Sequence, residues 1–593
     1  MGVPAQLFGD DTRRSSGNQA RRYNLLAARL MAELVKSSLG PRGLEKMFID
    51  IMGEVTVTKD GATLLRKVDV EHPAAKILIE ASNAVDNEVG DGTTSVVVLA
   101  GALAKKAEDL LDMGIAPSTI IDWYSRGLDI ALEALHDIAK GRSNSDRETM
   151  LRLVTTCLQS KVLSYGGEKI AQLIVDAVCA IADFVSNSID IDDIKIEEKE
   201  GSIVDAQLIR GIVLDKTIDS SAMPREVENA KILLIDEDLE GKRTKADAEI
   251  RITSPDQVKL YIDTEAEMIR SKVQHVIDSG ANVVISRKGI NTLAQHMLTR
   301  AGIISVRRVK ENDLNWLAKA TGATTSEKLD HDHDHDSQHE HHDHDHGHGH
   351  HHHHDGHEHY RHADIDIQLG YAERVYEKQV GDDRMVFVQG CKNPKALTIL
   401  LRANSKRTLD ECHRSTLDAI HVLRDFIVRP STVVGGGSAE AAIAKKVREK
   451  AVSISGQEQL VIQKFADALE EIPLTIALNA GMNAIDTLVQ LRSGHAMSNG
   501  RVSSWGVDAI ERKVQDMPQS VIEPAIVKEQ VLKTAVEVTN LLVRVDDVLM
   551  AKPSMYTHTH NGKQHSHAGG DKEHQHDYFD RLGKQQRPGH HYY

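Results

Sequence analysis

Gly90-Asp91-Gly92-Thr93-Thr94-Ser95 is the stretch whose reading decides the fold. Before it, Pro73 suits the first position of a helix, and Ile77, Ala81, Ala84 and Val85 fall on one face. The helix predicted there, 73–89, ends at Gly90, a residue that adopts the left-handed conformation without strain. After it, Val96, Val97, Val98 and Leu99 begin a second helix, predicted over 94–113 and stopped by Gly114 and Pro117. The six residues are then a tight helix–loop–helix corner. Two glycines let the backbone approach an anion, and the new helix presents its unpaired N–H groups there. Thr93, Thr94 and Ser95 add hydroxyl donors. Asp91 is itself an anion, which makes sense if a divalent cation sits between it and a phosphate. A capped loop with a solvated aspartate fits this stretch alone equally well.

Composition narrows the classes. The chain has 593 residues, which points to three or four domains. Hydrophobic residues make up 40% and aromatics 4%, so the core is expected to be helix-rich and aliphatic. A formal net charge of −16 argues against a general nucleic-acid binder. No basic region followed by an apolar run marks a signal peptide, and no apolar stretch of roughly 18 residues marks a membrane span. Cys157, Cys179, Cys391 and Cys412 are widely spaced and read as free thiols in a reducing compartment, so a cytoplasmic location is expected.

Working outward, residues 1–22 are polar and expected to be frayed, and 24–39 is an amphipathic helix ended by Gly40-Pro41-Arg42-Gly43. That corner lacks the Gly-Lys-Ser/Thr ending of a Walker A loop. Val55–Thr58 reads as a strand, and Lys59-Asp60-Gly61 as a turn before a helix. Asp60 there is positioned to reach a metal or a water, or is an ordinary Asp-Gly turn. A polar break at 144–148 is a candidate domain edge. Beyond about 212, short apolar runs such as Ile232-Leu233-Leu234-Ile235 alternate with helical stretches, an α/β pattern. The charged segment 240–272 reads as a surface protrusion. Leu293, Ala294, Met297 and Leu298 share one helical face, most simply a core stripe. Further on, 408–428 is one helix carrying Asp418. Thr432-Val433-Val434 then runs through Gly435-Gly436-Gly437-Ser438 into a helix, a second anion-binding arrangement.

Two tracts stand apart. From His331 to His362, 17 histidines are interleaved with Asp, Glu and Gly, and eight more lie in the tail between His558 and His591. Such composition cannot build a packed core, so both tracts are expected to be disordered. Imidazoles and carboxylates at this density are expected to hold Zn, Ni or Cu loosely, without fixed geometry and as an accessory trait. Glycine-rich anion loops near both ends, with a differently textured α/β block between them, imply a helical nucleotide domain made from both chain ends. The other domains are then inserted through two chain crossings.

Taken together, Leu39-Gly40-Pro41-Arg42-Gly43, Asp60-Gly61-Ala62-Thr63, Gly90-Asp91-Gly92-Thr93-Thr94, Met223-Pro224, Arg307-Arg308, Leu417-Asp418-Ala419, Gly435-Gly436-Gly437 and Ile522-Glu523-Pro524 resemble the group II chaperonins of the archaeal thermosome type over roughly residues 5–550. The resemblance implies a multidomain helical and α/β architecture. Its parts are an equatorial ATPase domain (1–147 and 427–551), a small α/β intermediate domain (148–215 and 367–426) and an α/β apical domain (216–366), before the tail 552–593. A helical protrusion at about 243–273 would be a built-in lid, so no separate co-chaperonin is needed. Subunits, identical or paralogous, would form two stacked rings of eight or nine and fold client proteins.

The implied cofactors are ATP and Mg²⁺. Leu39, Gly40, Pro41, Gly92, Thr93, Thr94 and Ser95 would hold phosphates, and Asp91 would ligate Mg²⁺. Asp60 and Asp418 would orient and deprotonate the attacking water, and Lys161 would sense the γ-phosphate. Gly436, Asp508 and Glu523 would lie near ribose and adenine, and Leu293, Met297 and Leu298 would meet the client. The chain departs from the family at Lys59, where Asn is common, at Arg402-Ala403-Asn404, where a Gly-Gly-type turn is common, and in both histidine tracts.

Overall fold

The computed structural model describes residues 13–50, 52–159, 166–240, 255–326, 368–391, 395–497, 503–517, 521–550, 555–560 and 563–568. Three main hydrophobic cores organise them. The first takes residues from both chain ends, from Leu25 to Leu135 and from Val433 to Val543. Its central element is the helix Thr93–Asp112, whose Val96, Val97, Val98, Leu99, Leu103 and Leu110 are all buried. A helix apolar on nearly every side can only be stable when other helices surround it. Asn18–Lys36, Pro117–Ile138, Gln457–Leu469 and Ala525–Arg544 do so. Gly101 explains one close approach: a Cβ there would sit 2.2 Å from Ala32 Cβ. Tyr124 meets Phe465 edge-on, with centroids 5.7 Å apart, and donates its hydroxyl to the Leu103 carbonyl at 3.1 Å.

The second core, from Ile212 to Ala396, lies on a seven-stranded sheet. Ile304–Val306, Val283–Ser286 and Glu226–Ile235 run parallel, with Ile232 opposite Val283. Gly370–Val380, Asp383–Gln389 and Gly211–Leu214 continue it antiparallel. Where they pair, Ile232–Ile235 and Val283–Ile285 are continuous apolar runs, as burial on both faces requires. The third core packs the helices Arg147–Gln159, Gly167–Ile181 and Lys406–Val428 beside a three-stranded sheet, in which Leu397–Ala403 lies between Ile194–Glu200 and Gln207–Ile209. The chain crosses this third core once on the way out and once on the way back.

Several expectations change. The first helix starts at Asn18, so 18–22 are not frayed. The cause is long-range: Arg13–Ser16 pairs with Asp547–Met550, Gly17 N–H donates to the Asp546 carbonyl at 2.7 Å, and Arg21 reaches the Asp546 carboxylate at 2.8 Å. The charged helix, Pro255–Asp278, runs past its predicted end because Ile269, Val273 and Val276 are buried in the second core. Residues 241–254 of the expected protrusion, and the histidine tract 331–362, lie outside the described residues. In the tail, expected to lack structure, Met555–His560 and Lys563–Ala568 form an antiparallel hairpin with His558 opposite His565. The β-branched Thr557 and Thr559, alternating with His, supply strand spacing. The Arg402-Ala403-Asn404 departure leaves a regular strand end, with Ser405 capping the next helix.

Candidate functional site

The Gly90–Ser95 corner forms as the sequence reading requires. Pro73 occupies the first turn of Pro73–Val89, and Gly90 ends that helix at φ 66°. Gly92, at φ 85°, is the N-cap of Thr93–Asp112. Both φ values lie where an L side chain is strained. No side chain caps the Thr93–Asp112 N-terminus, so its first amides remain available to a ligand. The second glycine run repeats the device: Gly437, at φ 74°, starts Ser438–Ala451 without a side-chain cap. Both N-termini open on one cleft.

That cleft is lined by Leu39, Gly40, Pro41, Asp60, Asp91, Gly92, Thr93, Thr94, Ser95, Asp418, Gly436, Asp508 and Glu523. Each arrives by its own route. Asn479 Nδ2 donates to the Lys36 and Leu39 carbonyls at 3.0 and 2.8 Å and pins the Leu39–Gly40 corner. Asp60 is the N-cap of Gly61–Lys67; its carboxylate accepts from Ala62 N at 3.3 Å, Thr63 N at 2.8 Å and Thr93 Oγ1 at 3.1 Å. The cap fixes Asp60 in place and ties it to the Asp91 corner. Asp91 accepts from Gly92 N at 2.8 Å. Asp418 comes from the third core, on Lys406–Val428, and is half-buried.

Glu523 sits on a strand paired with Ser431–Val434, opposite Val433, and lies against Gly435, where a Cβ would be 2.7 Å from Glu523 Oε1. Val507 N–H donates to the Gly436 carbonyl at 2.9 Å and brings the hairpin Trp505–Asp508/Lys513–Asp516 to the rim. The Asp508 carboxylate is engaged there: it accepts from Ile510 N at 3.1 Å, Glu511 N at 2.9 Å and Gln515 Nε2 at 2.7 Å.

Other expected residues fall elsewhere. Lys161 lies outside the described residues. Leu293, Met297 and Leu298 belong to the second core, away from the cleft. Leu298 is fully buried, so it presents no surface to a client; Leu293 and Met297 are half-buried against that core.

Sequence reasoning missed part of the lining: Lys59, Thr156, Cys157, Gln159 and Lys528. Lys528 lies deep, 2.9 Å from Glu440 Oε1 and also paired with Glu523. Burial alone would lower its pKa, but Glu440 and Glu523 overcome that and push it up. Glu523 is raised by burial against the opposing pull of Lys528. A lysine in the first turn of an otherwise apolar helix start was the available signal. Burial also lowers the Lys59 pKa, against the pull of Glu45 and Glu411.

The residues fit a magnesium nucleotide: two glycine corners with uncapped helix N-termini suit phosphates, and Asp91 and Asp60 offer oxygen donors of the kind Mg²⁺ prefers. Among the described residues no cluster of three or more His, Cys, Asp or Glu forms an all-protein cage. Mg²⁺ is usually held by one or two carboxylates together with substrate phosphates.

Fold and site together define a multidomain phosphate-binding protein whose cleft belongs to a helical body built from both chain ends and receives a residue from a neighbouring core. Residues 31–553 match the TCP-1/cpn60 chaperonin family, and the chain belongs to that family. It is 43% identical over 565 residues to the thermosome subunit alpha of Sulfurisphaera tokodaii, covering 93% of this chain and 95% of that one. It is 42% identical over 557 residues to the thermosome subunit beta of Archaeoglobus fulgidus, covering 93% and 96%. It is 41% identical over 553 residues to a thermosome subunit of Methanocaldococcus jannaschii, again covering 93% and 96%. The chain is thus a chaperonin, an ATP-binding protein of protein folding, with the mixed helical and α/β architecture its motifs predicted. No helix among the described residues is long and apolar enough to cross a membrane.

Proposed function

We propose that this chain is the subunit of an ATP-driven folding chamber with its own lid. The observation that carries the reading is the meeting of Asp60 and Asp91 with Asp418 in one cleft, although Asp418 rides on a helix of a different core. In this reading the first core is the equatorial domain, the third the intermediate domain and the second the apical domain. Leu39, Gly40, Pro41 and Gly92 to Ser95 hold the phosphates, and Asp91 ligates Mg²⁺, which when bound offsets phosphate charge. Asp60, fixed by its cap, orients a water, and Asp418 accepts its proton. Lys161 answers to the γ-phosphate, and Gly436, Asp508 and Glu523 border the nucleoside. Because Asp418 belongs to another core, hydrolysis is complete only when the two cores are docked, a gating role.

Clients with exposed apolar surface meet the apical block at Leu293 and Met297. Exposed Leu260, Tyr261 and Ile262 on Pro255–Asp278 put apolar surface on the protrusion that serves as lid. Subunits assemble, alone or with paralogues, into double rings of eight or nine in the cytoplasm without a separate co-chaperonin. The histidine tracts hold Zn, Ni or Cu loosely and are not needed for folding. Electron microscopy of the purified protein tests the whole reading. Double rings that close when ATP is added are expected; particles without ring symmetry, or rings indifferent to ATP, would overturn it.

A further inference from the structure

We propose that His421 is a positioning residue for hydrolysis, setting how deeply the helix that carries Asp418 seats on the Gly90 corner. The inference rests on the hydrolytic reading of the cleft. Gly90 ends Pro73–Val89 at φ 66°, and a Cβ there would lie 2.3 Å from His421 Cβ and 2.6 Å from its Cγ. The absent side chain of Gly90 is therefore the seat into which His421 fits. His421 lies three residues after Asp418, one turn further along the same helix face, so any change in its seating moves Asp418 with it. Asp418 and Val422 line the cleft on either side of this contact, together with Gly90 itself.

The contact works by shape. His421 Nδ1 is buried without a hydrogen-bond partner among the described residues, so the ring contributes bulk at the corner and no bond through that atom. Further along the helix lie directional anchors: Arg424 donates to the Glu88 carbonyl in the last turn of Pro73–Val89, and Arg429, at the helix C-cap, pairs with Glu529 of Ala525–Arg544 at 3.3 Å. These hold the helix near the corner, while the His421–Gly90 contact sets the approach. A reacting geometry displaced by about 1 Å can lose roughly a hundredfold in rate.

The test is steady-state ATP hydrolysis by the assembled protein. His421→Ala should lower kcat by about ten- to a hundredfold with KM for ATP unchanged, and His421→Phe, which keeps the ring's bulk, should retain kcat within about threefold by the same argument. Gly90→Ala approaches the contact from the other side and should also lower kcat. A wild-type kcat in His421→Ala would overturn the inference, as would a loss confined to KM or a His421→Phe as slow as His421→Ala. If His421→Ala does not assemble, the Gly90→Ala and His421→Phe pair decides: slow Gly90→Ala with active His421→Phe supports the seat, and the reverse refutes it. Asp418→Ala separates the two levels. Normal turnover in that variant defeats the hydrolytic reading itself, whereas a dead Asp418→Ala beside a fully active His421→Ala defeats only the docking.

Discussion

Lys528 Nζ, at the wall of the cleft, lies 2.9 Å from Glu440 Oε1 behind it, and both side chains are buried. Glu523 completes the group from the strand beside the glycine run. The lysine joins three elements: the helix Ala525–Arg544, the helix Ser438–Ala451 and the strand Ile522–Pro524. The one cation is engaged by both carboxylates. Its work is to hold Glu440 and Glu523 in place across these three elements.

Lys528→Met should therefore destabilise the body built from the two chain ends. Removing one partner of a buried charge group leaves the others uncompensated, at a cost of about 3–5 kcal/mol. Denaturant melts followed by tryptophan fluorescence and circular dichroism would show this as an earlier first transition. The triple replacement Lys528→Met, Glu440→Gln and Glu523→Gln should recover part of the loss. Equal loss in single and triple variants would show that packing, not charge, dominates.

Asp418→Ala and Asp91→Ala should fail differently. Removing a general base costs roughly 10²- to 10⁴-fold in rate while leaving ground-state binding alone. Asp418→Ala is thus expected to bind ATP normally and hydrolyse it slowly. Asp91→Ala should lose magnesium-dependent nucleotide affinity as well. Calorimetric titration with a slowly hydrolysed analogue, with and without Mg²⁺, separates the cases. Identical binding defects in both variants would remove the division of labour.

Gly92→Ala should weaken nucleotide binding more than it weakens the fold. At φ 85° an alanine is strained, and its Cβ would meet Val531 Cγ2 at 2.7 Å. The corner must shift, and with it the first amides of Thr93–Asp112. Gly114→Ala is the control: it has a similar φ of 86° but nothing within 4 Å of the added carbon. Strain alone would hurt both equally; a cradle for phosphate predicts loss of ATP affinity in Gly92→Ala alone.

Local signals made the corners legible. Pro73, Gly90 and Gly92 constrain their own backbone, and no distant residue is needed to read them. The runs Ile232–Ile235 and Val283–Ile285 likewise announce strands buried on both faces. What stayed hidden depends on partners far along the chain. The helix start at Asn18 rests on Asp546, and the ion group at Lys528 on Glu440 and Glu523. Periodicity placed Leu293, Met297 and Leu298 on one face but could not say that the second core covers Leu298 completely. Asp508 was placed near the nucleoside by the resemblance alone; that its carboxylate is engaged in the turn needed Ile510, Glu511 and Gln515 in space.

Deleting 331–362 together with the tail from 552 should leave ATPase and client refolding unchanged. Ser326 and Gln368 flank the gap; Ser326 pairs with Ile235 and Gln368 accepts from Thr324 N, and none of these residues lines the cleft. Binding of Ni²⁺ or Zn²⁺, measured by equilibrium dialysis, should fall to a low residual. Loss of ATPase in the deletion would make the tracts part of the machine.

His421 and Asp425, neighbours on the docking helix, should give opposite pH dependences. Burial, aided by Arg424, lowers His421 from its ordinary 6.5 to about 4. The unfolded chain then holds more protons than the folded one between those values, so this residue's contribution falls as pH drops below 6.5. Burial raises Asp425 from 3.8 to about 6, against the pull of Arg424. Here the folded chain holds the extra proton, so stability declines as pH rises from about 4 to 6 and is flat above. Between pH 4 and 6 the two slopes oppose each other, which hides both in the wild type. Asp425→Asn should expose the histidine and become more acid-labile than wild type. His421→Phe should expose the aspartate and gain relative stability as pH falls from 6.5. Denaturant midpoints across this range, taken as differences from wild type, should therefore diverge in opposite directions. Parallel curves for the three proteins would mean that these groups titrate alike folded and unfolded, and that the helix seats on Gly90 without excluding water.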